Sequence, residues 1–298
     1  MGFSSRDDLV YKVSSLGQFL RRDNAKITSP VATAGGWHSL FGYAGYPNAS
    51  TFPSAQDLVF QACTETGGDA ASATILGIQH GGNVAPESKY VRRVMAMNVT
   101  AAGVPQRLYL LDYLGFYPFV DMGTADAQTL TNTQSLTRYT DGEGVQIMAV
   151  LVAPHSLVGD TFTVTYTNQD GTADRVTPAH TMTTAVAVNG TILTTQTAGA
   201  GRFGPFLTLA AGDTGVRSVQ SVQCAAGTDV GLFTLVLVKP LCEFTIRGID
   251  APVEIDYLTD AGMKVPQVVD DAYLNFIACP NGSLSGAALN GDITFVWD

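Results

Sequence analysis

The four histidines are the first side chains to consider for metal binding or proton transfer, and they are His38, His80, His155 and His180. None is spaced three or four residues from a second ligand on a predicted helix, so no zinc site of the HExxH type is present. His155 and His180 follow or precede strand-like segments, and we expect both in loops. The sequence therefore predicts no histidine-based metal centre.

Cysteine chemistry is equally unsupported by spacing. The four cysteines are scattered along the chain, without a C-x-x-C pair, at Cys63, Cys224, Cys242 and Cys279. Neither a zinc ligand set nor a dithiol redox motif fits this arrangement, and we expect buried free thiols. No phosphate-binding loop, dinucleotide fingerprint or nucleophile elbow is present. We predict no cofactor and no metal.

Paired carboxylates are the remaining route to catalysis, because two acidic groups at a suitable separation can hydrolyse a glycosidic bond. Most candidates stand beside Gly or Thr, where an Asp side chain serves a turn. Glu254 and Asp256 alternate on a predicted strand and share one face, which a solvated surface explains equally well. The candidates are Asp112, Asp121, Asp141, Glu143, Asp213, Glu243, Glu254, Asp256, Asp270 and Asp271. We predict that the protein is not an enzyme.

Aromatic residues instead suggest contact with other proteins. A segment from about Lys26 to Phe52 is rich in Gly, Pro and aromatic residues and lacks a strand or helix period, so it is predicted to be an extended arm. Aromatic side chains supply large contact areas, and an arm has little interior of its own. The predicted inter-subunit contacts are Trp37, Phe41, Tyr43 and Tyr46.

Charge limits the choice of partners. Only 14% of the 298 residues are charged, the net charge is −10 and the pI is about 4.7. Nucleic acid is excluded as a partner, because its binding needs clustered Lys and Arg. The chain contains no run of about 20 apolar residues, so a membrane partner is not expected. The low content of charged residues favours an exterior that is buried against other subunits. The alternative is a solvent-exposed surface made of Thr, Ser, Asn and Gln.

The elements that must position these residues are mainly strands. Apolar residues at helical spacing predict one amphipathic helix from about Asp7 to Arg22. From about Asp57 onward, short apolar or alternating segments separated by turns predict antiparallel strands, with a hairpin at residues 168–171 and a turn at Asn189-Gly190. The predicted fold is an all-β antiparallel sandwich or jelly roll with a short N-terminal helix and an extended arm. Three ranges are predicted: 1–55 (helix and arm), 56–140 (β-rich) and 141–298 (sandwich body, which can share strands with 56–140).

Two stretches carry a resemblance to a known group of proteins. They are YLLDYLGFYPFVDMGTADAQTLTNTQSLTRYTDGEGVQIMAVLVAP and FLTLAAGDTGVRSVQSVQCAAGTDVGLFTLVLVKPL, about a quarter of the chain. Both resemble segments of virion structural proteins of tailed bacteriophages. The resemblance implies a jelly-roll or sandwich module that acts by protein contact, either on the head surface as a decoration or cement protein or in the tail.

The resemblance also implies partners and a location. Expected partners are other copies of the chain, with a trimer as one arrangement, and the major capsid protein or other virion proteins. The acidic charge favours the outside of the head over its DNA-filled interior, after synthesis in the host cytoplasm. A tail or neck structural protein and a carbohydrate-binding adhesin remain alternatives. With the arm as the clamp, removal of residues 1–52 is expected to leave a folded sandwich.

Overall fold

The computed structural model describes residues 3–28, 35–53, 57–65, 77–98, 103–156, 159–182, 189–193, 204–249, 251–259, 264–282 and 289–298. One α-helix, α1 (Arg6–Ser15), and one 3-10 turn, Leu40–Gly42, accompany the strands. The strands are β1 (Phe19–Thr28), β2 (Trp37–Ser39), β3 (Ala44–Tyr46), β4 (Gln61–Ala62), β5 (Lys89–Asn98), β6 (Gln106–Asp121), β7 (Gln128–Thr129), β8 (Gln146–Ala153), β9 (Thr161–Asn168), β10 (Arg175–Val176), β11 (His180–Thr181), β12 (Thr191–Ile192), β13 (Val216–Cys224), β14 (Leu232–Ile246), β15 (Val253–Asp256), β16 (Gln267–Val268), β17 (Leu274–Pro280) and β18 (Leu289–Trp297).

Helix α1 is shorter than the sequence pattern predicts. Ser5 caps its start by accepting a hydrogen bond from the backbone N–H of Asp8 at 3.0 Å. Gly17 has φ = +68°, a left-handed conformation that glycine adopts without steric cost and that commonly ends a helix. Residues from Phe19 onward belong to β1, so the predicted extension of the helix to Arg22 is wrong. The apolar residues Phe19 and Leu20 fit a strand as well as they fit a helix.

A central sheet organises the molecule. Its strands follow the order β14-β8-β12-β2-β17-β6, with β4 also beside β6. Strand β14 pairs with β6 as well, so the six strands close on themselves into a small barrel. The β6–β14 ladder is long, running from the Leu232–Asp121 pair to the Ile246–Gln106 pair. All ladders of this ring are antiparallel.

Two outer sheets cover the central one. The first outer sheet has the order β15-β5-β18-β1-β3, with β16 beside β5. The second has the order β10-β9-β13-β7, with β11 beside β9. The predicted all-β antiparallel class with one short N-terminal helix is thereby confirmed.

Three apolar cores lie within the ring and between the ring and the two outer sheets. One fills the ring and includes Trp37, Phe41 and Tyr113. A second lies between the ring and the first outer sheet and includes Leu110 of β6 and Phe295 of β18. The third lies between the ring and the second outer sheet. Because β6 serves all three cores, it is buried on both faces, which explains its almost continuous apolar sequence.

Strand β9 shows the opposite pattern. Its sequence TFTVTYTN alternates strictly, and Phe162, Val164 and Tyr166 point into the third core. The threonines between them lie on the other face and are partly exposed. The predicted hairpin after β9 is confirmed, since β10 pairs back onto β9 through Arg175 and Tyr166.

The predicted N-terminal arm is part of the body. Strand β1 lies between β18 and β3 in the first outer sheet, and β2 lies between β12 and β17 in the central ring. The segment gains its strand partners from residues distant in the sequence, which a local period cannot reveal. Strands from the ranges 1–55, 56–140 and 141–298 share sheets, so the body is not confined to the last range. Residues 29–34 of the segment lie outside the described residues.

Candidate functional site

The four predicted contact aromatics separate into two groups. Trp37, Phe41 and Tyr43 are 2%, 2% and 3% exposed within the single chain, whereas Tyr46 is 44% exposed. The prediction that Trp37, Phe41 and Tyr43 contact other subunits is therefore wrong, because the chain's own core already covers them. Tyr46, on the edge strand β3, stays a prediction.

The buried aromatics have specific partners. The Trp37 ring lies 5.3 Å from that of Tyr109, and Phe41 meets Tyr113 edge to face at 4.6 Å. Edge-to-face packing is a favourable arrangement of aromatic quadrupoles. Lys26 ties the same region to β1, since its ammonium donates to the carbonyl oxygens of Tyr43 at 3.2 Å and Pro47 at 2.6 Å. Burial lowers the pKa of Lys26 to about 8.

His155 and Asp229 form the arrangement most similar to a catalytic pair. His155 Nδ1 lies 3.2 Å from Asp229 Oδ2, and both side chains are inaccessible to solvent. The neighbouring hydroxyl of Ser156 donates to Asp229 at 3.2 Å. In a catalytic triad the nucleophile binds the other imidazole nitrogen, Nε2. Ser156 instead binds the Asp229 carboxylate, on the Nδ1 side of the ring. The pair fastens the end of β8 to the segment before β14 and offers no reactive geometry.

His80 belongs to a second buried polar cluster. Lys89 Nζ lies 3.0 Å from His80 Nδ1 and donates to the His80 and Gly82 carbonyl oxygens at 2.8 and 2.5 Å. Because an ammonium only donates, His80 Nδ1 accepts, and the ring proton is on Nε2, which faces Glu65 at 3.1 Å. Burial and the Lys89 charge lower the pKa of His80 to about 4.

The expected loop position of His180 is wrong, since His180 begins β11 and is buried. It pairs with Phe162 on β9, and burial lowers its pKa to about 4. The short strand was missed because two residues carry no detectable period.

The acidic candidates are engaged within the chain. Asp213 accepts from Tyr166 at 2.6 Å, Asn168 at 2.8 Å and Arg175 at 2.8 Å. Glu254 and Asp256 do share a face of β15, where they pair with Arg93 and Arg92. In the part of the chain that the structure describes, no three His, Cys, Asp or Glu side chains could hold a metal ion together.

Cys63, Cys224 and Cys242 are buried thiols. Burial raises the pKa of Cys63 to about 12, so its thiol stays protonated and unreactive at neutral pH.

A small cleft opens near the 3-10 turn. Its volume is about 180 Å³, and it is lined by Ser39, Phe41, Gly42, Ser50, Thr51, Phe52, Val150, Leu151, Val152, Asn189 and Gly190. This volume is below that of most small-molecule sites, about 300–1,000 Å³. No charged side chain is among these lining residues, and we assign no ligand to the cleft.

The exposed apolar residues mark a different surface. Helix α1 has no buried residue. Val10, Tyr11 and Leu16 are 54%, 56% and 53% exposed, and Phe19 at the start of β1 is 42% exposed. We call these four residues, which lie from the middle of α1 to the start of β1, the N-terminal apolar surface. The spacing of apolar residues predicts that Val10 and Leu16 lie on an amphipathic helix. It does not show whether the rest of the chain covers their side chains.

The outer faces of the two outer sheets differ in charge. On the first outer sheet, Asp292 lies between Arg93 and Arg21, at 2.6 and 3.2 Å. On the second outer sheet, the strand register and the two bulges of β13 place a mostly uncharged set of residues on the outer face, with Arg217 as its charged member. We call this set the threonine face: Thr129, Thr161, Thr163, Thr165, Thr167, Val176, Thr181, Arg217, Ser218, Gln220, Ser221 and Gln223.

Comparison with known proteins yields little. No protein family and no curated protein matches the chain. Among solved structures, the VP2 subviral particle of infectious bursal disease virus matches with 9% identity and a TM-score of 0.17, over 94% of this chain and 81% of that chain. The Gt strain of the same virus matches with 9% identity and a TM-score of 0.19, over 97% and 86% of the two chains. Likeness at this level carries no argument about function.

Among the described residues, none of the helices is both long and apolar enough to cross a membrane.

Proposed function

We propose that the protein is a structural subunit of a virus particle, and that within the particle it is a decoration or cement protein on the outside of the head. The observation that carries this proposal is the N-terminal apolar surface. Four large apolar side chains are at least 42% exposed: Val10 and Tyr11 on α1, Leu16 at its C-cap and Phe19 at the start of β1.

The energetics of α1 support an external partner. A helix of 10 residues is marginal in water without tertiary packing. Burying a Leu, Val or aromatic side chain contributes about 1.5–3 kcal/mol relative to leaving it exposed. A partner that covers this surface would therefore stabilise both the helix and the complex.

The remaining support comes from charge and sequence. The net charge of −10 disfavours a position against packaged DNA, and the resemblance to virion proteins of tailed bacteriophages suggests the particle. The partners in this proposal are the major capsid protein or another virion protein, together with further copies of the chain. The exposed aliphatic residues around Tyr11 suit a protein contact better than a sugar platform.

An add-back experiment tests the proposal. Purified protein is mixed with particles that lack it, made from a virus genome with its gene disrupted, and bound protein is measured by co-sedimentation. We expect wild-type protein to bind and to raise the temperature at which the particles break. A variant with Val10→Ser and Tyr11→Ser should lose most of this binding.

The matched control is Val230→Ser. Val230 is the most exposed of the large apolar residues described, at 76%, and lies outside the N-terminal apolar surface. This variant should bind as wild type does. If V10S/Y11S binds at full occupancy, the N-terminal apolar surface is not the contact. If wild-type protein does not bind, the decoration role is wrong.

A further inference from the structure

The buried cluster around His80 holds a loop, residues 79–84, between two opposite charges. Glu65, His80 and Lys89 form the cluster, and we call these three residues the histidine clasp. The side chains of His80 and Glu65 are 1% and 10% exposed, and Lys89 is 2% exposed. The His80 ring lies between the Lys89 ammonium, 3.0 Å from Nδ1, and the Glu65 carboxylate, 3.1 Å from Nε2. A single imidazole thus bridges a cation and an anion.

The hydrogen bonds of Lys89 require a neutral His80. The ammonium has three hydrogens, and it faces His80 Nδ1 at 3.0 Å, the His80 carbonyl oxygen at 2.8 Å and the Gly82 carbonyl oxygen at 2.5 Å. Nδ1 can accept only while the ring is neutral. A proton on this nitrogen would place two cations 3.0 Å apart, which strongly disfavours the imidazolium.

Glu65 holds the same loop from the Nε2 side of the ring. Its carboxylate accepts from the backbone N–H of Gly81 at 3.1 Å and of Gly82 at 2.9 Å. The two glycines have φ = +87° and +78°, a conformation that other residues rarely adopt. Residues 80–82 are therefore fastened to Lys89 through their carbonyl oxygens and to Glu65 through their N–H groups.

The loop also joins separate parts of the fold. Arg22 of β1 donates to the Gln79 carbonyl oxygen at 3.2 Å. Asn83 donates to the Asp271 carboxylate at 3.0 Å and accepts from the Asp271 backbone N–H at 2.7 Å. Asp271 precedes β17 of the central ring, whereas β1 belongs to the first outer sheet. Release of the loop would loosen the link between these two sheets.

Charged groups from several elements surround the clasp, and the cations equal the anions in number. They are Arg22 on β1, Glu65 after β4, Lys89 on β5, Arg138 before β8, and Asp270 and Asp271 before β17. The direct contact with Lys89 therefore decides the charge of the ring. Burial and this contact lower the pKa of His80 to about 4, whereas an exposed histidine has a pKa of 6.5.

We infer that the histidine clasp is an acid-sensitive switch, in which uptake of a proton by His80 ends its contact with Lys89 and releases loop 79–84 while the rest of the fold stays intact. The opened loop takes up a proton more readily than the closed loop, so acid shifts the folded protein towards the opened form. The inference concerns the purified protein and does not rest on the proposed particle role.

Backbone amide hydrogen exchange at pH 6.5 and pH 4.5, corrected for the intrinsic pH dependence of exchange, tests the inference. The amides of Gly81 and Gly82 report on the loop, and those of β6 report on global unfolding. The loop amides should exchange through an opening that is more frequent than that of β6 at both pH values. The equilibrium constant of this opening should rise about 30-fold on acidification, because the opened loop protonates near pH 6.5 and the closed loop near pH 4.

Two histidine variants separate the clasp from a general effect of acid. In His80→Gln the side chain can accept from Lys89 and donate to Glu65 but takes up no proton, so the rise should be less than about threefold. His180→Gln is the matched control, because it removes another buried histidine with a pKa of about 4, and it should keep the rise of the wild type. Near-ultraviolet circular dichroism checks that both variants are folded.

The wild-type protein alone can overturn the inference. It is wrong if the loop amides exchange only together with those of β6, or if their opening does not rise on acidification. A rise in folded H80Q that equals the wild-type rise would also overturn it, because the proton would then be taken up elsewhere.

Discussion

Arg138 and Asp112 form a two-point ion pair in the interior, on side chains that are 5% and 0% exposed. Arg138 Nε donates to Asp112 Oδ2 at 2.8 Å, and Nη2 donates to Oδ1. The guanidinium also donates to the carbonyl oxygens of Cys63 at 2.7 Å and Tyr113 at 2.6 Å. Asp112 in turn accepts from the backbone N–H of Tyr273 at 2.9 Å. One side chain thus joins the loop before β8 to β6 and to the segment after β4.

Breaking this pair should be costly. Arg138→Met leaves the Asp112 carboxylate buried without its cation, and we expect the free energy of unfolding to fall by about 3–5 kcal/mol. Guanidinium chloride unfolding at pH 7 measures this change. Glu243→Gln, which breaks the more exposed pair with Arg107, is the control and should cost less than about 1 kcal/mol. Equal small losses in both variants would argue against a structural role for the Arg138–Asp112 pair.

The N-terminal segment should be required for folding. Deletion of residues 1–52 removes β1 from between two strands of the first outer sheet and β2 from the central ring. It also removes Trp37 and Phe41 from the inner core, where losing one large aromatic costs about 3–5 kcal/mol. The deletion variant should lack native near-ultraviolet circular dichroism. Retention of that signal would instead support the separate arm predicted from the sequence.

Acid should destabilise the protein through His80. Its pKa is about 4 in the folded protein, because burial and Lys89 oppose protonation, against an ordinary value of 6.5. Only the unfolded state takes up this proton between pH 6.5 and 4, so stability falls as the pH falls through that window. The difference corresponds to about 3 kcal/mol at most.

Unfolding curves of wild type and His80→Gln at pH 7 and pH 4.5 test this prediction. Glutamine can still accept from Lys89, and we expect H80Q to lose less stability on acidification than wild type does. Parallel losses in the two proteins would show that His80 does not contribute.

Raising the pH above 8 should stabilise the protein through Lys26. Burial lowers its pKa to about 8 from an ordinary value of 10.5. Above pH 8 only the unfolded state keeps the proton, so wild-type stability should rise from pH 8 to 9.5 relative to that of Lys26→Met. The difference between the two free energies of unfolding cancels the tyrosine titrations common to both proteins. A difference that does not change with pH would contradict the lowered pKa.

The sequence predicted the all-β class and most of the long strands, because a strand such as β9 exposes one face and shows it as alternation. Strands β1 and β2 were missed because they pair with β18, β12 and β17, which are distant in the sequence, and β3 was missed because its three residues show no period. The aromatics Trp37, Phe41 and Tyr43 were assigned to an interface for the same reason. Whether an aromatic residue in a patternless segment is core or contact depends on tertiary packing. By contrast, the TFTVTYTN repeat could have indicated the threonine face.

We propose above all that this protein is a structural component of a virus particle. Quantitative mass spectrometry of purified particles, from the virus whose genome encodes the chain, tests it most directly. The proposal predicts that the chain is retained through density-gradient purification at a copy number comparable with that of the shell protein. A few copies per particle would favour the tail or neck alternative over decoration. Absence of the chain from purified particles would contradict the structural role itself.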